Sequence, residues 1–207
     1  QELCLTAGHK KVIDGAVVIF SAVEGVEAQS EKVWRQSDKY NLPKIAFINK
    51  LDRTGASFQR TLGQMKKKFP AKAIIPLQIP SGEENLLEGV IDLVRGKLIK
   101  FEGADGAVIK ESEIPPDDDK VKDMLDCVIS SLSDFSDKIA DEFLSSGHVN
   151  ENLLFCEIRR LVIEGKIVPV FCGSAKKNIG IQPFLDAIVR YLPNPSDRGK
   201  FFAFDPK

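Results

Sequence analysis

An α/β fold with a doubly wound, mainly parallel sheet, interrupted by an inserted α+β subdomain, is what this sequence predicts. Three observations carry that expectation. Continuous apolar runs rich in β-branched residues, at 12–22, 44–48 and 166–172, read as strands buried on both faces, as parallel strands are. Segments of helical periodicity follow each run. Between about Pro70 and Gly165 the texture changes, first to short strands around glycine turns and then to long helical stretches.

The run Val12-Ile-Asp-Gly-Ala-Val-Val-Ile-Phe-Ser-Ala22 ends in small residues and reads as a central parallel strand. From Gln29 to Tyr40, Val33, Trp34, Ser37 and Tyr40 recur at helical spacing, and Asn41-Leu-Pro43 stops the helix. Lys44 to Ile48 is a second buried strand, which makes a strand–helix–strand unit with the favoured right-handed crossover. Thr54 to Phe69 is a helix with Phe58, Leu62, Met65 and Phe69 on one face, ended by Pro70. Ala73 to Ile79 and Glu88 to Phe101 give short strands, with turns at Ser81-Gly82, Arg95-Gly96 and Gly103 to Gly106. Pro115 opens one long helical stretch to about Ser145, with Val121, Leu125, Val128, Ile129, Leu132 and Phe135 in step. A further helix runs from about Glu151 to Glu164. Lys166 to Cys172 returns as a strand, and Ile181 to Leu192 is a helix with Phe184, Leu185, Ile188 and Val189 inward, closed by Pro193-Asn-Pro195. The tail from Lys200 to Lys207 reads as the start of another module.

Composition bounds the function. A formal net charge of −1 argues against the polybasic surface that drives non-specific nucleic-acid binding. No apolar run approaches the length of a membrane span, and Gln1-Glu-Leu-Cys-Leu5 has neither a charged nor a long apolar leader region, so the expectation is a soluble, non-secreted chain. Cys4, Cys127, Cys156 and Cys172 form no Cys-x-x-Cys pair and read as reduced, mostly buried thiols. Asp117-Asp-Asp119 follows Pro-Pro and suits a helix N-terminus better than a metal, while Lys66-Lys-Lys68 suits a helix C-terminus. His148 reads as a loop residue, Trp34 as core and Arg35 as half of a surface ion pair.

Chemistry concentrates where two buried strands end, at Ile45-Ala-Phe-Ile-Asn49-Lys50-Leu51-Asp52 and at Val168-Pro-Val-Phe-Cys-Gly-Ser174-Ala175-Lys176. Open α/β sheets bind ligands at the carboxyl ends of their strands. Guanine presents a ring N–H and an exocyclic amine on one edge, and the Asp52 carboxylate can accept both. Asn49 can tie its loop to the base or to the neighbouring strand, and the Lys50 stem can lie on the purine face. In the second segment the backbone N–H of Ala175 would meet the base carbonyl, with Ser174 bracing Asp52. An Asn-Lys-x-Asp or Thr-Lys-x-Asp string alone arises by chance in roughly one chain of this length in twenty. Its place between a strand and a helix raises its weight.

These segments, with Glu24-Gly-Val-Glu-Ala-Gln-Ser30, Val33-Trp-Arg-Gln36, Gly89-Val-Ile-Asp-Leu-Val94, Cys172-Gly-Ser-Ala-Lys-Lys-Asn178, Gly180-Ile-Gln182 and Tyr191-Leu-Pro-Asn-Pro195, resemble the GTP-binding domain of translation elongation factor G. The resemblance implies a partial P-loop-GTPase-like G domain at 1–69, an inserted G′ subdomain at 70–165, a return of the G domain at 166–196, and a linker with the start of a second domain at 197–207. It implies GTP/GDP as ligand, bound at the base by Asn49, Lys50, Asp52, Ser174, Ala175 and Lys176, and Mg2+ in the intact protein. The implied partners are the ribosome with tRNA and mRNA, with no membrane, in a monomer of the cytoplasm or, alternatively, of the mitochondrial matrix. Ribosomal translocation is the implied role; a ribosome-recycling paralogue or a non-hydrolysing interaction module are the alternatives. The sequence contains no Gly-x-x-x-x-Gly-Lys-Ser/Thr string, so hydrolysis by this chain alone is not expected. Leu5-Thr-Ala-Gly-His9 only partly echoes the family's Asp-Thr-Pro-Gly-His, which leaves His9 as the nearest candidate and no assigned catalytic residue.

Overall fold

Residues 13–103, 106–114, 119–194 and 197 are described by the computed structural model. The chain begins with β1 (Ala16–Ser21), α1 (Ala28–Lys39), β2 (Lys44–Asn49), α2 (Phe58–Lys68) and β3 (Ala73–Pro76). Next come β4 (Gln78–Ser81), β5 (Gly89–Asp92), β6 (Lys97–Glu102) and β7 (Val108–Glu113). The helices α3 (Asp119–Ser133), α4 (Asp137–Ser146) and α5 (Glu151–Ile163) then lead back to β8 (Ile167–Cys172) and α6 (Ile181–Tyr191). Two sheets result. The first is parallel in every pairing, in the order β1-β2-β8-β3; the second is an antiparallel meander, β4-β5-β6-β7.

Alternation along β2 and β8 sends side chains to both faces of the parallel sheet, and helices cover both. On one face Val18, Phe20, Ala46, Ile48, Val168 and Val170 pack with Trp34 of α1 and Phe58, Leu62 and Met65 of α2. Trp34 stacks on Phe69 with centroids 4.2 Å apart. Ile45, Phe47, Ile75 and Phe171 on the other face meet Ile158 and Leu161 of α5 and Phe184, Ala187 and Tyr191 of α6. The antiparallel sheet feeds both cores: Val90 and Ile99 join the first, Ile91 and the partly buried Leu98 the second. The antiparallel sheet is therefore packed together with the parallel one rather than appended to it.

The α/β class and the parallel sheet are as expected, with four local departures. In the described sheet β1 lies at the edge, not the centre, and Val17 and Ile19 are 39% and 57% exposed. The stretch from Pro115 to Ser145 is not one helix. Its described part breaks at Asp134-Phe135-Ser136, where the N–H of Ser136 donates to Ser133 O and α4 starts afresh. Leu132 and Ile139, both fully buried, stay in the same core across that break, so apolar spacing alone conceals it. On α6, Leu185 and Val189 point outward, 54% and 82% exposed, because the buried face is centred on Phe184, Ala187 and Tyr191, with only Ile188 of the remaining expected residues beside it. Cys172 is buried, but Cys127 and Cys156 are exposed on their helices. Cys4, Asp117, Asp118 and the tail from Lys200 to Lys207 lie outside the described residues.

Candidate functional site

Strand pairing brings the two singled-out segments together. Ile48 sits beside Cys172 in the β2–β8 register, so the residues that follow each strand emerge side by side. The backbone then cross-links them: Gly173 N–H donates to Ile48 O at 3.0 Å and Leu51 N–H to Gly173 O at 3.2 Å. A Cβ on Gly173 would lie 2.0 Å from the carbonyl oxygen of Ile179, so only glycine allows this approach.

Side chains complete the junction. Asn49 Oδ1 accepts from its neighbour Lys50 N at 2.7 Å and from Ala175 N at 2.9 Å. The hydroxyl of Ser174, fully buried, donates to Asp52 Oδ1 at 2.6 Å and accepts from Lys177 N at 3.2 Å. Ser174 and Ile179 also exchange backbone hydrogen bonds of 2.9 and 3.0 Å, which close the second loop on itself. Asp52 thus has one oxygen oriented by the protein and remains partly exposed, with acceptor capacity for further donors. Lys50 occupies the left-handed region at φ 65°, and its ammonium reaches Glu24 at 3.4 Å. Lys176 stands on the exposed side of the second loop. Four of the expected residues, Asn49, Asp52, Ser174 and Ala175, are directly bonded across the junction; Lys50 and Lys176 border it. His9 lies outside the described residues.

Residues that sequence reasoning missed hold the loop after Asp52. Arg60 Nη2 donates to three carbonyls, those of Ala22 at 2.9 Å, Val23 at 2.8 Å and Gly55 at 2.9 Å. Glu84, at the start of a short 3-10 turn (Glu84–Leu86) between β4 and β5, donates its N–H to Leu51 O at 2.8 Å and accepts from Gly55 N at 2.6 Å. Glu83 accepts from Phe58 N at 2.7 Å, one of the unpaired donors of the first turn of α2. The only signal in the sequence was the turn dipeptide Ser81-Gly82.

A groove of about 50 Å³ lies apart from this junction, between Gln78, Asp92, Arg95, Arg190 and Tyr191. Burial raises the pKa of both Asp92 and Tyr191 there. Its volume suits a water or two, not a nucleotide.

Comparison with known proteins agrees with the geometry. The sequence profile of the family described as elongation factor Tu GTP binding domain matches residues 5–194. Elongation factor G 2 of Syntrophus aciditrophicus is 46% identical over 189 residues, 90% of this chain and 28% of the relative. Elongation factor G of Fervidobacterium nodosum is 44% identical over 196 residues, 94% of this chain and 28% of the relative. A crystal structure of a Thermus thermophilus protein superposes with a TM-score of 0.79 at 26% identity, covering 92% of this chain and 28% of that one. The chain spans little more than a quarter of the length of these relatives. With 190 consecutive residues under the family profile, the chain belongs to the family of elongation factor Tu GTP-binding domains.

Proposed function

We propose that this chain is the base-reading part of the GTP-binding domain of an elongation factor G-like protein that acts in ribosomal translocation. The observation that carries the reading is the pair of bonds from Ser174 to Asp52 and from Ala175 to Asn49, which join loops more than 120 residues apart into one edge. Asp52 accepts the ring N–H and amine of guanine, whereas the Ala175 N–H expected at the base carbonyl is engaged by Asn49 Oδ1 at 2.9 Å and must be shared or released to meet it. Asn49 ties the two loops, and the stems of Lys50 and Lys176 flank the ring. In this reading 1–69 and 166–196 belong to the G domain, 70–165 to the inserted G′ subdomain and 197–207 to a linker and the next domain. β3 of the insert still pairs with β8, so the insert shares the parallel sheet.

GTP and GDP are the ligands, and the ribosome with its tRNA and mRNA is the partner of the whole protein, a cytoplasmic monomer. Among the described residues no group of three or more His, Cys, Asp or Glu is placed to hold a metal ion, and no Mg2+ ligand is assigned. Catalysis in such proteins rests on preorganised charge at the transferring phosphoryl group. In this reading the described residues at the junction supply base contacts, and none of them is assigned to that charge.

Base contacts without phosphate contacts give weak binding, so the test is chemical-shift mapping at millimolar nucleotide. GDP is expected to shift the amides of Asn49 to Asp52 and of Ser174 to Lys176, and ADP is not. Equal shifts with the two nucleotides, or shifts elsewhere, overturn the proposal.

A further inference from the structure

We infer that Glu84 and Arg60 form a clamp on the Gly55 backbone that sets the position of Asp52, making both of them positioning residues for base recognition. The inference rests on the guanine reading above. Gly55 is gripped at both of its backbone polar groups, the N–H by the Glu84 carboxylate at 2.6 Å and the C=O by the Arg60 guanidinium at 2.9 Å. Gly55 itself sits at φ 80°, where its backbone is free of Cβ strain. Ahead of Asp52, Leu51 is held as well: its C=O accepts from Glu84 N at 2.8 Å and its N–H reaches Gly173 O at 3.2 Å. The short segment that carries Asp52 is therefore tied down on each side, and Glu84 supplies a tie on both.

Glu84 adopts a strained backbone to do so. It lies in the left-handed region at φ 56°, which a non-glycine residue rarely adopts, directly after Gly82 at φ 82° and Glu83. A Cβ on Gly82 would fall 1.9 Å from the carbonyl oxygen of Leu86, so the turn is wound tightly enough to present both glutamates to the loop. Were Glu84 only a turn residue, glycine would serve better at that φ. Its carboxylate on Gly55 gives the residue a second task. Arg60 extends the clamp to the β1–α1 connection through Ala22 O and Val23 O, so three separate segments converge on the Asp52 loop. Because Glu83 and Glu84 belong to the connection between β4 and β5, the antiparallel sheet is coupled to the guanine edge through both residues.

Three variants separate positioning from turn formation. Glu84→Gly relieves the left-handed backbone but removes the carboxylate, Glu84→Gln keeps an acceptor oxygen, and Arg60→Met keeps the stem and removes the donors. Hydrogen exchange of the Gly55 amide and the preference for GDP over IDP, whose base lacks the exocyclic amine, are read on each. The clamp predicts that Glu84→Gly keeps the wild-type melting midpoint while Gly55 exchange accelerates by about tenfold and the GDP preference falls by about threefold. Arg60→Met moves both readouts in the same direction, and Glu84→Gln stays near wild type. Unchanged exchange in Glu84→Gly overturns the clamp, and faster exchange with an intact GDP preference overturns its positioning role. A wild-type chain with no preference for GDP over IDP instead overturns the guanine reading, and the positioning role with it, whatever the exchange shows.

Discussion

Ser174 shows how a single buried hydroxyl can organise the junction of two loops. It is fully buried, it donates to a carboxylate and it accepts a backbone N–H, so removing it leaves two polar groups short of a partner. Ser174→Ala is expected to cost about 1–2 kcal/mol in urea unfolding, with an unchanged slope. A midpoint equal to the wild type would contradict the bond. Glu157 is a second instance, away from the site. It is buried on α5 and accepts from Arg160, Ser136 and Lys138, and the Arg160 hydrogen bonds dominate in lowering its pKa from 4.5 to about 2. A carboxyl depressed in the fold gives stability that is present above the unfolded pKa and lost as pH falls toward the folded one. Glu157→Gln should therefore flatten the stability profile between pH 4.5 and about 2, by about 2 kcal/mol after allowing for the solvent exposure of Arg160 and Lys138. Urea titrations across that range read it, and parallel profiles for the two proteins would remove the assignment.

Among the elements, the loop from β8 to α6 is the most constrained. Gly180 precedes α6 at φ 78°, and a Cβ there would lie 2.3 Å from the carbonyl oxygen of Cys172. Gly180→Ala should cost about 2 kcal/mol or more and displace Ser174 from Asp52, readable as a drop in melting midpoint together with shifted Ser174 and Ala175 amides. A variant that melts like the wild type would show that the loop relaxes freely. What could be read from sequence at this scale follows the physics of burial. β2 and β8 are buried on both faces and announce themselves as apolar runs, and the ends of those runs led directly to Asn49, Asp52, Ser174 and Ala175. The break before α4 was hidden because Leu132 and Ile139 keep the helical phase on either side of it. Leu185 and Val189 misled because apolarity shows that a face can be buried, not which of two adjacent faces is. Lys44, buried with its ammonium 5.0 Å from the Trp34 ring centroid and paired with Asp38, was invisible for the opposite reason, a charge where the pattern expects none. Glu84 was beyond reach, since its partner Gly55 lies 29 residues away and the bond depends on a left-handed backbone.

At the scale of the molecule, two cores share one parallel sheet, and the antiparallel sheet contributes to both. Such mutual packing predicts one cooperative unfolding transition. Fluorescence of the single tryptophan, Trp34, and far-ultraviolet circular dichroism should trace the same midpoint in urea. Separate midpoints would show one part of the chain unfolding by itself. The same packing lets loops distant in sequence meet as one edge, and the account stands on what that edge reads. Asp52→Asn replaces two acceptors by one acceptor and a donor, which suits xanthine, whose carbonyl stands where guanine has its amine. The most direct measurement is competition between GDP and XDP for the wild-type and Asp52→Asn chains. The prediction is that the wild type prefers GDP and the variant prefers XDP, whereas a variant that keeps the wild-type preference for GDP would contradict the account.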